Sequence, residues 1–181
     1  SGQRHPQPSG TLDGASAHLM SLVSDIAAAY RNPVAVVAEQ DARCVSEPQT
    51  LFYGMLFGFL SFLAQLPLLS VLAERDGPPL YALAAANLVA FLFFLPLMLY
   101  VLAGLSHVIL ARFGGSASWA QSRRALFWSA LVSAPLILLS GLAAPVLPRS
   151  LVIAAQLLTG AVFFWQWIAC QIYFEFRAER A

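Results

Sequence analysis

The chain has 181 residues, of which 59% are hydrophobic and only 10% are charged, and its mean hydropathy is +0.71. A soluble domain normally carries about a quarter charged residues, so this composition cannot cover a water-soluble surface. The net charge of +1 gives no support for the concentrated basic face that a nucleic-acid-binding protein needs. We therefore expect an integral membrane protein that binds no nucleic acid.

The first 45 residues are more polar than the rest of the chain. Residues 1–17 are rich in Ser, Gly and Pro, which predicts a flexible, solvated tail. Residues 18–45 predict two short helices, the first with apolar residues at helical spacing from Leu19 to Tyr30. Asn32 is a candidate N-cap for the second helix, over about 33–44. Both helices are too short to span, so we expect amphipathic interfacial helices that lie along the membrane surface or pack under a bundle.

The first predicted span covers about 50–73, inside a transmembrane domain that extends from residue 46 to 181. Ser46 is a candidate cap, followed by a proline in the first turn. Gly54 and Gly58 form a GxxxG pair, which Ser61 extends. Small residues allow close helix approach in lipid, where apolar burial alone does not drive association. We predict a helix-packing face here, within the bundle or against another chain.

The second predicted span is the long uncharged segment 80–112. At about 1.5 Å per residue a single helix of this length would reach ~50 Å, whereas a bilayer core is roughly 30 Å thick. We expect one tilted helix that bends near Pro96, since proline disrupts the helix ladder. Asn87 is a candidate for helix packing, and His107 lies near the far end of this span.

Two further spans are predicted at about 125–147 and 150–176. Gly114-Gly115 ends the preceding helix, and Ser116 is a candidate cap for the next one. In the fourth span Gln156 and Gln166 are candidates for helix packing. The aromatic and basic residues near span ends are expected to anchor at the membrane interface: Trp119, Arg123, Arg124, Trp128 and Tyr173.

The arginines predict the orientation of the four spans. All ten basic residues are arginine, and with a cytoplasmic N-terminus only Arg75 and Arg149 would face outward. This distribution follows the positive-inside rule. It predicts an even number of spans with both termini in the cytoplasm; as a separate hypothesis, we expect the membrane to be a bacterial inner membrane.

Residues that could carry catalysis are scarce. His107 is the one titratable candidate in the spans, with a capping or structural role favoured. The three histidines are scattered and Cys44 and Cys170 lack metal-ligand spacing, so we expect no metal and no cofactor. Gln65 lies two residues before Pro67 and could satisfy a carbonyl that the proline frees, or line a transport path. We expect no enzymatic activity.

The chain resembles the Yip family of Ypt/Rab-interacting membrane proteins, in particular its small bacterial members. The similarity is carried by an amphipathic helix that ends in Arg-Asn-Pro (31–33) and by GGSASWAQSRRALFWSALVSAP (114–135). It implies a helical membrane domain with a cytoplasmic N-terminus and no enzymatic activity. The usual five spans of that family contrast with the four that hydropathy supports here, unless part of 80–112 is a re-entrant half-helix. The resemblance does not identify any residue of this chain as a GTPase-binding residue.

The sequence thus predicts an all-α integral membrane protein with four transmembrane helices and N-terminal amphipathic interfacial helices. The favoured function is a scaffold or accessory subunit that acts through helix–helix and lipid contacts, with a membrane-protein partner or a second copy of itself. The alternative is a small transporter or channel subunit, because prolines and amides in the spans could line a polar path. A membrane-embedded enzyme is a third class, which would need a polar cluster that the sequence does not reveal.

Overall fold

The architecture is entirely helical in a computed structural model that describes residues 10–43, 46–75 and 77–176, with side chains from Met20 onward. Cys44 lies outside the described residues. The helices are α1 (Gly10–Ala29), α2 (Pro33–Ala42), α3 (Glu47–Ala73), α4 (Leu80–Val89), a π-helical turn (Ala90–Phe94), α5 (Leu95–Arg112), α6 (Trp119–Ala143) and α7 (Arg149–Phe176).

Four helical segments are long and apolar enough to cross a membrane. They are α3, α6, α7 and the continuous segment Leu80–Arg112, which comprises α4, the π turn and α5. The predicted all-α fold with four spans is therefore confirmed. This is the architecture of a multi-pass membrane protein.

The capping residues explain where several helices begin. The Asn32 side chain accepts a hydrogen bond from Ala35 N at 3.1 Å, and Gln49 Oε1 accepts one from Ser46 N at 3.0 Å, which confirms both predicted N-caps. The cap of α6 is Ser118, whose hydroxyl accepts from Gln121 N at 3.2 Å, so the prediction of Ser116 as the cap is wrong. At the other end of the chain, α1 begins at Gly10, so a helix replaces the predicted flexible tail over residues 10–17.

The long second span contains the irregularity that Pro96 predicts. Proline has no N–H, so the carbonyl of Leu92 loses its usual partner four residues along the helix. The π turn lies directly before Pro96, and Leu95 N donates five residues back, to Ala90 O. A one-turn widening of this kind lets a helix absorb a proline without ending.

Helix α6 is the centre of the bundle. Helices α3 and α7 pack against it most extensively, and α5 also contacts it. Every residue from Arg124 to Ala134 is buried. The α3 contact is close: a methyl group at Gly54 would collide with the Phe127 ring, and one at Gly141 with the Ala64 backbone.

The pair α1–α2 packs into the side of this bundle. The Gln166 amide in α7 donates to Ala29 O at 2.8 Å, and the Tyr30 hydroxyl donates to Val132 O in α6. Burial raises the pKa of Tyr30 above its ordinary value. Val132 lies about 12 Å from Arg124 along α6, at about 1.5 Å per residue. Of the two placements predicted for these helices, the structure supports packing against the bundle, and deep along it.

Ion pairs gather at the end of the bundle that carries Arg112, Arg123 and Arg124, which we call the arginine-rich end. Arg124 Nη1 lies 2.7 Å from Asp41 Oδ1 and ties α6 to α2. Arg123 pairs with Glu47 in the first turn of α3. These contacts hold α2 and the start of α3 beside the start of α6.

We predict that Gly58→Ala destabilises the protein by at least about 1–3 kcal/mol, because a methyl group there would collide with the backbone oxygen of Phe91 in the π turn. Thermal unfolding in mild detergent measures the effect. Gly160→Ala is the matched control, since its methyl group would meet nothing within 4 Å. Equal melting temperatures for the two variants would contradict this account of the α3 contact.

Candidate functional site

A cleft opens between α5 and α7. Both helices pack against α6. Side-chain contacts between them lie toward the arginine-rich end, where Gln171 donates to Ser106 Oγ at 3.1 Å and His107 lies beside Glu175, and away from that end a space separates them. The resulting space is about 640 Å³, and α3 and α6 form its inner wall. This volume falls in the range of about 300–1,000 Å³ that small-molecule sites occupy.

The cleft is mostly apolar, with a few polar groups. Its α5 side consists of aliphatic and methionine side chains, and α6 contributes small residues and hydroxyls. The polar members of the lining are Gln65, Ser133, Ser140, Gln156 and Thr159.

The two amides of the lining are unpartnered, whereas its hydroxyls are not. Ser133, Ser140 and Thr159 each donate to a carbonyl of their own helix at 2.7–3.0 Å. Gln65 and Gln156 form no hydrogen bond with any residue that the structure describes. The expected bond from Gln65 to a carbonyl freed by Pro67 is thus not formed. An amide without a partner in an apolar setting is costly, so these two groups are available to a ligand.

The helices on either side of the cleft are the least covered of the four spans. In its most apolar stretch, Leu80–Arg112 is 17% buried and α7 is 11% buried, against 56% for α6. The cleft therefore opens sideways, toward the space that a bilayer would fill.

A second polar feature is a buried cluster around Glu175 at the arginine-rich end. The Glu175 side chain is fully buried. Its Oε2 accepts from Ala117 N at 3.0 Å and its Oε1 from the Ser122 hydroxyl at 3.3 Å. Its backbone oxygen accepts from both N and Oγ of Ser116 at 3.2 Å. The cluster fastens the α5–α6 connection to the end of α7.

His107 completes this cluster from α5. Its Nδ1 lies 3.6 Å from Glu175 Oε1, and its ring packs on Trp119 with centroids 4.3 Å apart. Ser122 donates toward the carboxylate or, at 3.4 Å, toward Gln171, and it is completely buried. This geometry differs from a serine nucleophile activated by histidine. It is that of a structural clamp.

A glycine makes room for the clamp. A methyl group at Gly115 would collide with Glu175 Oε2. The neighbouring Gly114 has φ +85, a backbone conformation that favours glycine. The paired glycines that were predicted only to end a helix therefore also allow the loop to approach the carboxylate.

The residues predicted for helix packing fall into three groups. Gly54, Gly58 and Ser61 are buried against the rest of the bundle, so that face is used within the chain. Gln166 is completely buried and joins α7 to the end of α1.

Asn87 and Gln156, the remaining packing candidates, make no such contact. The Asn87 amide donates to Leu83 O of its own helix at 2.9 Å. Gln156 is exposed and lines the cleft. A polar residue in an apolar span can bond its own helix or line a cleft instead of joining two helices. The spacing of such residues in the sequence does not distinguish these three arrangements.

The predicted interfacial anchors also divide. Trp119 is 53% exposed and Tyr173 is partly exposed. Arg123 pairs with Glu47, and the mostly buried Arg124 pairs with Asp41. Trp128 is completely buried, 5.5 Å from the Tyr53 ring, so its prediction as an anchor is wrong. Its position on the central helix overrides the usual preference of tryptophan for the interface.

Sequence reasoning missed the buried clamp and the cleft. The sequence analysis assigned no role to Glu175, although its spacing of four from Gln171 places both residues on one face of α7. The free thiol of Cys170 is buried. Among the described residues no group of three or more His, Cys, Asp or Glu could hold a metal ion.

No family model, curated protein or solved structure matches this chain. The similarity to the Yip family accordingly stays a prediction from the sequence. The class that the fold defines, a multi-pass helical membrane protein, follows from the four apolar helices.

We predict that Glu175→Ala destabilises the protein by about 1–3 kcal/mol, the usual cost of leaving buried hydrogen-bond groups unpaired. The change would leave Ala117 N without its acceptor and Ser122 with one acceptor fewer. Unfolding in detergent, followed by helical circular dichroism, measures the loss.

Glu47→Ala provides the control, since this glutamate is half-exposed and pairs with Arg123 at the surface. A surface pair contributes about 0–1 kcal/mol. An equal loss of stability in both variants would rule out the clamp as a special contribution.

Proposed function

We propose that this protein is a non-enzymatic membrane scaffold or accessory subunit that binds a component of the membrane in the α5–α7 cleft. The observation that carries this proposal is a ligand-sized cleft that opens sideways from the bundle and contains two unpartnered amides. Polar groups in a membrane-embedded segment are usually kept where they have a function.

The contacts of the hydroxyl groups support a binding role over a chemical one. Each serine or threonine that lines the cleft donates to its own helix, which is the ordinary behaviour of hydroxyls in spanning helices. The lining also contains no Asp, Glu, His, Lys or Arg among the described residues. General acid–base catalysis would need such a group at the site.

The proposed setting is a bacterial inner membrane with both chain termini in the cytoplasm. The support is the distribution of arginine: Arg112, Arg123 and Arg124 lie at one end of the bundle, and Arg149 lies at the start of α7. Under the positive-inside rule the arginine-rich end is cytoplasmic.

Cysteine labelling tests this orientation, in a chain whose Cys44 and Cys170 have been replaced by alanine. Arg149 and Arg112 are both exposed at opposite ends of their spans. In spheroplasts, a membrane-impermeant thiol reagent should label Arg149→Cys directly, and Arg112→Cys only after permeabilisation. The reverse pattern would overturn the proposed topology.

The proposed function predicts that a membrane component purifies with the protein through the cleft. Tagged protein extracted from its native membrane with gentle detergent is analysed by mass spectrometry for both lipids and proteins. We expect a stoichiometric component that Gly160→Trp removes, because the space beside Gly160 is open and its residue lines the cleft. Recovery of the bare chain alone would contradict a scaffold or accessory role.

A transporter or channel subunit is the second candidate, and the meeting of Gln65 and Gln156 in one cleft favours it. Two amides that line the same cleft could bind a polar solute as it passes. This candidate requires solute flux in liposomes that Gln65→Leu abolishes. Flux indistinguishable from empty liposomes removes it.

A further inference from the structure

We propose that the cleft binds a glycerolipid of the bilayer, with hydrocarbon chain along α5 and α6 and ester carbonyls accepting hydrogen bonds from Gln65 and Gln156. This inference rests on the proposed function and names the bound component. Size, polarity and depth of the cleft each support it.

The size of the cleft suits the hydrocarbon chain of a lipid. Its α6 wall runs from Ser133 to Ala144, about 16 Å at 1.5 Å per residue. The cleft offers about 640 Å³, which lies in the range of about 300–1,000 Å³ that small-molecule sites occupy. A narrow, extended occupant such as lipid hydrocarbon fits this space.

The polarity of the lining matches a neutral acceptor group attached to hydrocarbon. Residues such as Met98, Leu102 and Leu105 provide the apolar wall. Lipid chains can contact this wall without leaving a polar group unpaired. An amide NH₂ is a donor, and an ester carbonyl is an acceptor without charge. Because the described lining carries no charged side chain, a phosphate or ammonium group has no counter-ion inside the cleft and would remain outside it.

The depth of the two amides fits the position of lipid esters. Along α7, Gln156 lies about 10 Å from Arg149, and along α3, Gln65 lies about 12 Å from Ala73, at about 1.5 Å per residue. Headgroup regions occupy roughly the outer 5–8 Å on each side of a bilayer. Both amides thus lie just inside the hydrocarbon boundary at the end opposite to the arginine-rich end. Ester carbonyls of glycerolipids lie at this boundary.

The experiment compares two tryptophan substitutions on the same helix. Gly160→Trp fills the cleft, whereas Leu157→Trp places the same side chain on an exposed position, 71% exposed and outside the lining. Each variant and the unchanged protein are extracted in mild detergent, checked by size exclusion, and analysed by native mass spectrometry with lipid extraction. A third variant, Gln65→Leu with Gln156→Leu, removes the amides and leaves the space open.

We expect the unchanged protein and Leu157→Trp to retain one tightly bound glycerolipid. In Gly160→Trp the amount of bound lipid per protein should fall at least tenfold. The double glutamine variant should lose part of the bound lipid. A membrane protein or a second copy that Gly160→Trp displaces, without any retained lipid, would overturn the lipid assignment and keep the proposed function. A retained lipid without ester groups would also overturn it. If neither lipid nor protein depends on Gly160, both proposals fail.

Discussion

The close approach of α3 to its neighbours is the contact on which the rest of the bundle depends. In lipid, apolar burial gives no net drive for helices to associate, so packing must come from backbones that approach closely. Gly54, Gly58 and Gly141 supply this approach at three heights, against Phe127, the π turn and Ala64. With α3 fixed on α6 in this way, α6 is enclosed from Arg124 to Ala134. The other helices then have a rigid surface on which to pack.

Satisfaction of backbone groups explains why two non-spanning segments enter the bundle. The turn after α1 would leave backbone carbonyls without hydrogen-bond partners in an apolar setting. Each unsatisfied backbone group in lipid costs on the order of several kcal/mol. The Gln166 amide donates a hydrogen bond to Ala29 O and so satisfies that carbonyl. At the arginine-rich end, the carboxylate and backbone oxygen of Glu175 do the converse and accept from Ala117 and Ser116. The side chains of Gln166 and Glu175, both in α7, therefore each hydrogen-bond with backbone that lies elsewhere in the chain.

The sequence was sufficient for the features that depend on local chemistry. The spans, the N-caps at Asn32 and Ser46, and the irregularity before Pro96 follow from hydropathy, capping and the missing proline N–H. Features that depend on which helix occupies the centre were not predictable. Trp128 is a residue type that commonly anchors at the membrane interface, and it lies in the core here only because the other helices enclose α6.

The functional features are long-range for the same reason. Glu175 accepts a hydrogen bond from Ala117 N, 58 residues away in the sequence. No local sequence pattern predicts a contact of this range. The cleft likewise depends on how α5 and α7 are placed relative to each other, which the sequence of a single helix does not encode.

The cleft lies beside the contact between the π turn and α3, since Phe57 and Leu95 line it. Gly58 holds the backbone at Phe91 against α3, so the second span is drawn toward α3 at this height. Helix α7 is held on α6 by a separate contact, which leaves the space between α5 and α7 unfilled by protein. A purely structural gap would be cheapest with an apolar lining, yet two amides without partners face into it. Because unpaired amides are costly in hydrocarbon, their presence is best accounted for by an occupant that accepts their hydrogen bonds.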